Sequence, residues 1–190
     1  MLSATALILI ALSVAGIVIA VVDASSRTSI FPAFNYPAGA VFVYGLSMTL
    51  VWLTRQVVPF ALPAHFYRLR PVEADGSLYR QLGVHAFKRL LFKSGLQRLN
   101  LSARLSHGRT GLIAFERGIG DAETDHAIAF LVMIVITLYS AMHGWWAFAS
   151  WLMLGNGVAN VYPIMLQRMN RARLLPVLEK LRHRNVRPPV

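Results

Sequence analysis

Glu123 and His126 are three residues apart, which puts both side chains on one face of any helix that contains them. A carboxylate bonded to one ring nitrogen fixes the tautomer of a histidine and raises the basicity of the other nitrogen. That arrangement takes a proton from an alcohol. Two other readings of the spacing stay open: a carboxylate and an interfacial histidine that only wet a helix end, or half of a carboxylate di-iron site. The second would want another Glu-x-x-His, and the chain has one copy. A second polar group lies downstream, where Asn156 and Asn160 are followed by Gln167, Arg168, Asn170, Arg171 and Arg173. Asn160, Gln167 and Arg171 are separated by seven and four residues and so share a helical stripe. Interhelical hydrogen bonding would account for the two asparagines, and a positive-inside cluster for the arginines, but neither explains their interleaving with Gln167 and Asn170.

The elements that must position these groups belong to a membrane. The 190 residues are 56% hydrophobic and 14% charged, with mean hydropathy +0.52, where soluble domains carry about 25% charge. An all-α protein with about four spans is predicted as one integral membrane domain over residues 1–190. The spans fall at about 4–22, 38–62, 127–142 and 145–166. The first lacks a basic n-region and is longer than a signal-peptide core, so it is predicted to be a retained helix. Pro59 and Pro63 fray the end of the second. The last two form a hairpin about His143-Gly144, with Trp145 and Trp146 at headgroup depth.

Of 19 basic residues, ten lie between residues 64 and 125 and seven follow Leu166. The positive-inside rule then makes residues 64–125, the basic tail 168–190 and both termini cytoplasmic, in the cell (inner) membrane. The net charge of +11 signals orientation and anionic-lipid contact, not nucleic-acid binding. Arg55 is the one charge in span two, near its cytoplasmic end, where snorkelling accounts for it. Within the cytoplasmic segment, Leu78, Leu82, Phe87, Leu90 and Leu91 alternate with Arg80, Lys88, Arg89 and Lys93, which predicts an amphipathic interfacial helix ended by Gly95. A short basic, apolar segment follows at 96–105, then a turn at Gly108 to Gly111. Gly118 and Gly120 introduce the next helix, with Asp121 as N-cap and Glu123 in the first turn.

Several chemistries lack their motifs. No histidine is followed five positions later by aspartate, there is no Gly-x-Ser-x-Gly elbow, and no phosphate loop or dinucleotide fingerprint occurs. Cysteine is absent, so no thiol nucleophile exists. No cofactor or metal is expected.

Phe66-Tyr67-Arg68-Leu69-Arg70, Glu73, Leu78-Tyr79, Leu82-Gly83, Glu116, Ala122-Glu123-x-x-His126 and the run from Asn160-x-Tyr162-Pro163 to Gln167-Arg168-x-Asn170-Arg171-x-Arg173-Leu174 resemble the glycosyl-4,4'-diaponeurosporenoate acyltransferase family of carotenoid biosynthesis. The resemblance covers about residues 64–175 and implies transfer of a fatty acyl group to a hydroxyl of a glycosylated terpenoid, or another membrane lipid, at the cytoplasmic face. It also places Glu116 among the substrate-binding residues. The mechanism expected is direct transfer from acyl-CoA or another activated donor. His126, oriented by Glu123, is the base; Asn160, Gln167 or Asn170 donates to the oxyanion; Arg168, Arg171 and Arg173 hold donor phosphates. The alternatives are a non-catalytic subunit that scaffolds lipid-synthesis enzymes and a metal-dependent lipid-modifying enzyme. Oligomeric state is not legible.

Overall fold

The computed structural model describes residues 4–27, 37–95 and 108–184, and all its regular elements are helical. The expected segment at 96–105 lies outside these residues. Among the described residues the α-helices are, in order, α1 (Ala4–Arg27), α2 (Pro37–Val57), α3 (Ser77–Gln81), α4 (Val84–Ser94), α5 (Gly108–Met142), α6 (Trp146–Asn156) and α7 (Tyr162–Arg184). The chain divides into two compact units, Met1–Pro63 with Thr124–Pro163, and Ala64–Glu123 with Ile164–Val190.

The first unit is built on the apolar runs. Leu7, Ala11, Val14, Val18 and Val22 of α1 recur at helical spacing and pack with Val43 and Val51 of α2, Ile128, Val132 and Ile136 of α5, and Phe148 and Leu152 of α6. The opposite faces are apolar as well: Ile8, Leu12, Val41 and Trp52 are all exposed, as a surface that meets hydrocarbon requires. Among the described residues three helices are long and apolar enough to cross a membrane, at Thr5–Ala24, Pro37–Val57 and Thr110–Met142. The second ends earlier than expected because Pro59 has no N–H to continue the ladder and disfavours helix at Val58. Arg55 does not merely snorkel; its Nη1 donates to Asp125 Oδ1 at 2.8 Å.

The hairpin tip forms as the sequence suggests. Helix α5 stops at Met142, Gly144 takes φ +78°, and Trp145 N donates to Ser140 O at 2.9 Å. The expected fourth span is not a single regular α-helix. In place of one continuous helix, α6 gives way to a π-helical stretch, Gly157–Val161, before α7 begins. Pro163 supplies the reason. It cannot donate to the carbonyl of Ala159, which accepts the Tyr44 hydroxyl at 2.9 Å in compensation. Among the described residues three spans are therefore evident, not clearly four.

In the second unit, α3 and α4 are short and each is preceded by a left-handed glycine, Gly76 at φ +71° and Gly83 at φ +74°. Gly95 ends α4 as expected, and Leu90 and Phe92 on that helix remain exposed beside its basic residues. The turn expected at Gly108 to Gly111 is instead the start of α5, which runs unbroken through Gly118 and Gly120. Asp121 is thus inside a helix and caps nothing. A helix interior pays about 1 kcal/mol for a glycine. At Gly120 an added Cβ would lie 3.6 Å from Arg171 Nη2 and 3.8 Å from the Tyr67 ring, ordinary van der Waals contact.

Candidate active site

In the first unit, His126 on α5 meets Asn160, within the π-helical stretch, and through it Asn156 at the end of α6. Its Nδ1 lies 3.2 Å from Asn160 Oδ1, Asn160 Nδ2 donates to Asn156 Oδ1 at 2.7 Å, and Asn156 Nδ2 donates to the Phe130 carbonyl at 3.2 Å. This chain has a direction. A backbone carbonyl can only accept, so the amide of Asn156 turns its NH₂ toward Phe130 and its oxygen toward Asn160. Asn160 must answer with NH₂, leaving its own oxygen for the imidazole. Nδ1 therefore carries the proton and Nε2 the lone pair. Both asparagines are fully buried, which makes misorientation expensive. Among the described residues the only buried side-chain polar atom without a partner is His85 Nδ1, and the His126 ring has the Ala159 carbonyl as a hydrogen-bond partner beside Asn160.

In the second unit, Glu123 is also fully buried, and its oxygens accept from Arg168 Nη1 at 3.1 Å and from Arg171 Nη1. The expected carboxylate–imidazole bond is thus replaced by two separate sets of partners, guanidiniums for Glu123 and an amide for His126. Arg168 uses every donor it has. Nε and Nη2 grip Glu73 at 2.8 and 2.7 Å, Nη1 reaches the Phe66 carbonyl at 2.8 Å as well as Glu123, and Nη2 reaches the Arg68 carbonyl at 3.0 Å. It keeps no N–H for a ligand phosphate. Arg171 donates to the Tyr67 carbonyl at 3.3 Å and lies over the Tyr67 ring, 5.1 Å from its centroid. Two carboxylates and two guanidiniums cancel in charge, which is what makes their burial tolerable.

Glu73 is the residue that spacing alone did not single out for this site. It accepts from the Arg70 backbone N–H at 2.7 Å and from the Tyr79 hydroxyl at 2.8 Å in addition to Arg168. The signal was present as Arg70-Pro71-x-Glu73, a capping-box spacing with proline at the first helical position. The Arg168 guanidinium first, then the Arg70 N–H and the Tyr79 hydroxyl, pull the Glu73 carboxyl from 4.5 down to about 2. A lowered folded value contributes stability that is present above pH 4.5 and lost as pH falls toward 2. The expected contribution is about 3 kcal/mol. Thermal melts in detergent between pH 6 and 2 should show the midpoint falling in that window, and Glu73→Gln should remove that part of the slope; an unchanged slope would count against it.

The remaining expected site residues lie in the second unit. Gln167 is buried and accepts from Asn170 Nδ2 at a long 3.5 Å. Arg173 is exposed and donates to His85 Nε2 at 3.0 Å. Glu116 sits half-buried on α5 with no hydrogen bond or ion pair among the described residues. The expected stripe is therefore divided, with Asn160 in the first unit and Gln167 and Arg171 in the second.

A sequence model of the glycosyl-4,4'-diaponeurosporenoate acyltransferase family matches residues 63–180, well over half of the chain. The chain belongs to this family. The matched region of the glycosyl-4,4'-diaponeurosporenoate acyltransferase family member takes in Glu73, Glu123, His126, Asn160, Arg168 and Arg171. The family's name is that of an acyltransferase of carotenoid biosynthesis. No curated protein and no solved structure matches the chain.

Proposed function

We propose that this family member is a membrane acyltransferase that moves a fatty acyl group from an activated donor to a hydroxyl of a glycosylated terpenoid or related lipid at the cytoplasmic face. The observation that carries the reading is the directed chain from the Phe130 carbonyl through Asn156 and Asn160 to His126, which leaves Nε2 as a base. In the step proposed, Nε2 takes the proton of the acceptor hydroxyl as its oxygen attacks the acyl carbonyl. A tetrahedral intermediate forms, the bond from acyl carbon to the donor's leaving atom breaks, and the imidazolium returns the proton to the leaving group. No covalent enzyme intermediate is required, in keeping with the absence of cysteine and of a serine elbow. Asn160 takes the orienting part that Glu123 was expected to play, since its own NH₂ is committed to Asn156 and not free for an oxyanion. Glu123, Arg168 and Arg171 hold the second unit together, as a structural set.

Mass spectrometry of lipids from cells with and without the gene tests this directly. The expected result is loss of one acylated glycolipid species with accumulation of its unacylated precursor. Unchanged acylated lipids would overturn the reading and favour the scaffolding subunit.

A further inference from the structure

A polar cavity of about 420 Å³ in the second unit is lined by Ala74, Asp75, Gly76, Arg80, His85, Ala172 and Arg173. Its lining includes neither Glu73 nor Glu123, and no group of the proton-transfer step belongs to it. Arg80 and Arg173 are both exposed, so their guanidiniums are not consumed by the fold as those of Arg168 and Arg171 are. Arg173 donates to His85 Nε2 at 3.0 Å. Guanidinium has no lone pair to offer, so Nε2 accepts and the proton of the neutral ring sits on Nδ1. That N–H is buried and has no acceptor, on a residue that lines the cavity. A buried donor without a partner costs about 1 to 3 kcal/mol, and an anionic oxygen is what would relieve it. His85 also belongs to the first turn of the eleven-residue α4, where the helix carries partial positive charge. The one acid on the rim is Asp75, whose Oδ1 is turned to the Ser77 N–H and hydroxyl at 2.9 and 2.8 Å. Two guanidiniums against one carboxylate leave the lining cationic.

We propose that this cavity binds a phosphate group, with Arg80 and Arg173 as the charged contacts and the His85 Nδ1–H as the third donor. Its volume exceeds what one phosphate needs and suits a diphosphate or a phosphodiester headgroup. That the phosphate belongs to the acyl donor rests on the acyl-transfer reading above. Two donor chemistries carry such a group: a soluble phosphorylated thioester and a phospholipid.

The test uses the full chain in maltoside micelles, which contain no phosphate, with the His85 ring followed by NMR. One arm titrates inorganic pyrophosphate, and the other mixes in short-chain phosphatidylglycerol. A saturable His85 shift with pyrophosphate, weakened about tenfold or more in Arg80→Gln and Arg173→Gln, supports the site and a soluble source. A shift with phosphatidylglycerol alone, with the same dependence on the two arginines, supports the site and a lipid source. No shift in either arm, or shifts that both variants retain, overturns the proposal. Binding is read without turnover, so the two ideas fail separately. A His85 response with unchanged cellular lipids sinks acyl transfer only, and loss of an acylated lipid with a silent His85 sinks the phosphate site only.

Discussion

His126→Ala is expected to lower acyl transfer by about 10²- to 10⁴-fold while leaving the protein folded, the range that a positioned general base contributes. The physical basis is the one-way hydrogen-bond chain that puts the proton on Nδ1 and the lone pair on Nε2. The measurement is recovery, in cells lacking the gene, of the acylated lipid that the deletion removes, with variant protein quantified in the membrane. Full recovery by His126→Ala would eliminate the role. A second variant separates orientation from mere presence of the ring. Asn156→Leu removes the partner that fixes the amide of Asn160, so Asn160 is free to turn its NH₂ toward Nδ1 and shift the proton to Nε2. The expected result is a loss of turnover with the imidazole still in place, together with a change of tautomer seen in the His126 ring nitrogen shifts. A purely structural Asn156 would leave those shifts where they are.

The sequence made the apolar helices legible and the partners of the polar groups much less so. Helices α1 and α2 follow from uninterrupted apolar runs, and the turn after Met142 follows from Gly144, whose φ of +78° other residues rarely adopt. Glycine misled at the start of α5. Gly118 and Gly120 look like breakers by propensity, yet the helix passes through both. A cost of about 1 kcal/mol per glycine is too small to set a helix boundary. Local signals fall short at the site too. Three-residue spacing placed Glu123 and His126 on one face, but spacing along a helix cannot rank neighbours against groups that arrive from elsewhere in the chain. Glu123 met two guanidiniums, whose charge outbids a neutral ring, and His126 met an amide oxygen. The π-helical stretch was hinted at by Pro163 alone, and without it the phase between Asn160 and Gln167 reads as one stripe.

Arg168→Met should destabilise the second unit by about 3 to 5 kcal/mol, the cost of leaving a buried carboxylate without its ion partner, here Glu73, while Glu123 keeps Arg171. Folding free energies are about 5 to 15 kcal/mol, so the loss is a large part of the total. Arg168→Lys should recover only part of it, because a single ammonium cannot reproduce a fork that serves two carboxylates and the Phe66 and Arg68 carbonyls. The double variant Glu73→Gln with Arg168→Met should be less destabilised than the sum of its parts, by about 0.5 to 3 kcal/mol, because the acid that Arg168 would leave stranded is gone. Denaturation in mixed micelles, followed by hydrogen exchange at helices α3 and α4, measures all four corners of this cycle. If Arg168 instead served donor phosphates, Arg168→Lys would raise the donor KM at unchanged stability and the cycle with Glu73 would show no coupling. Melting of Arg168→Met within about 0.5 kcal/mol of the parent, the range of an ordinary surface substitution, would remove the structural role altogether.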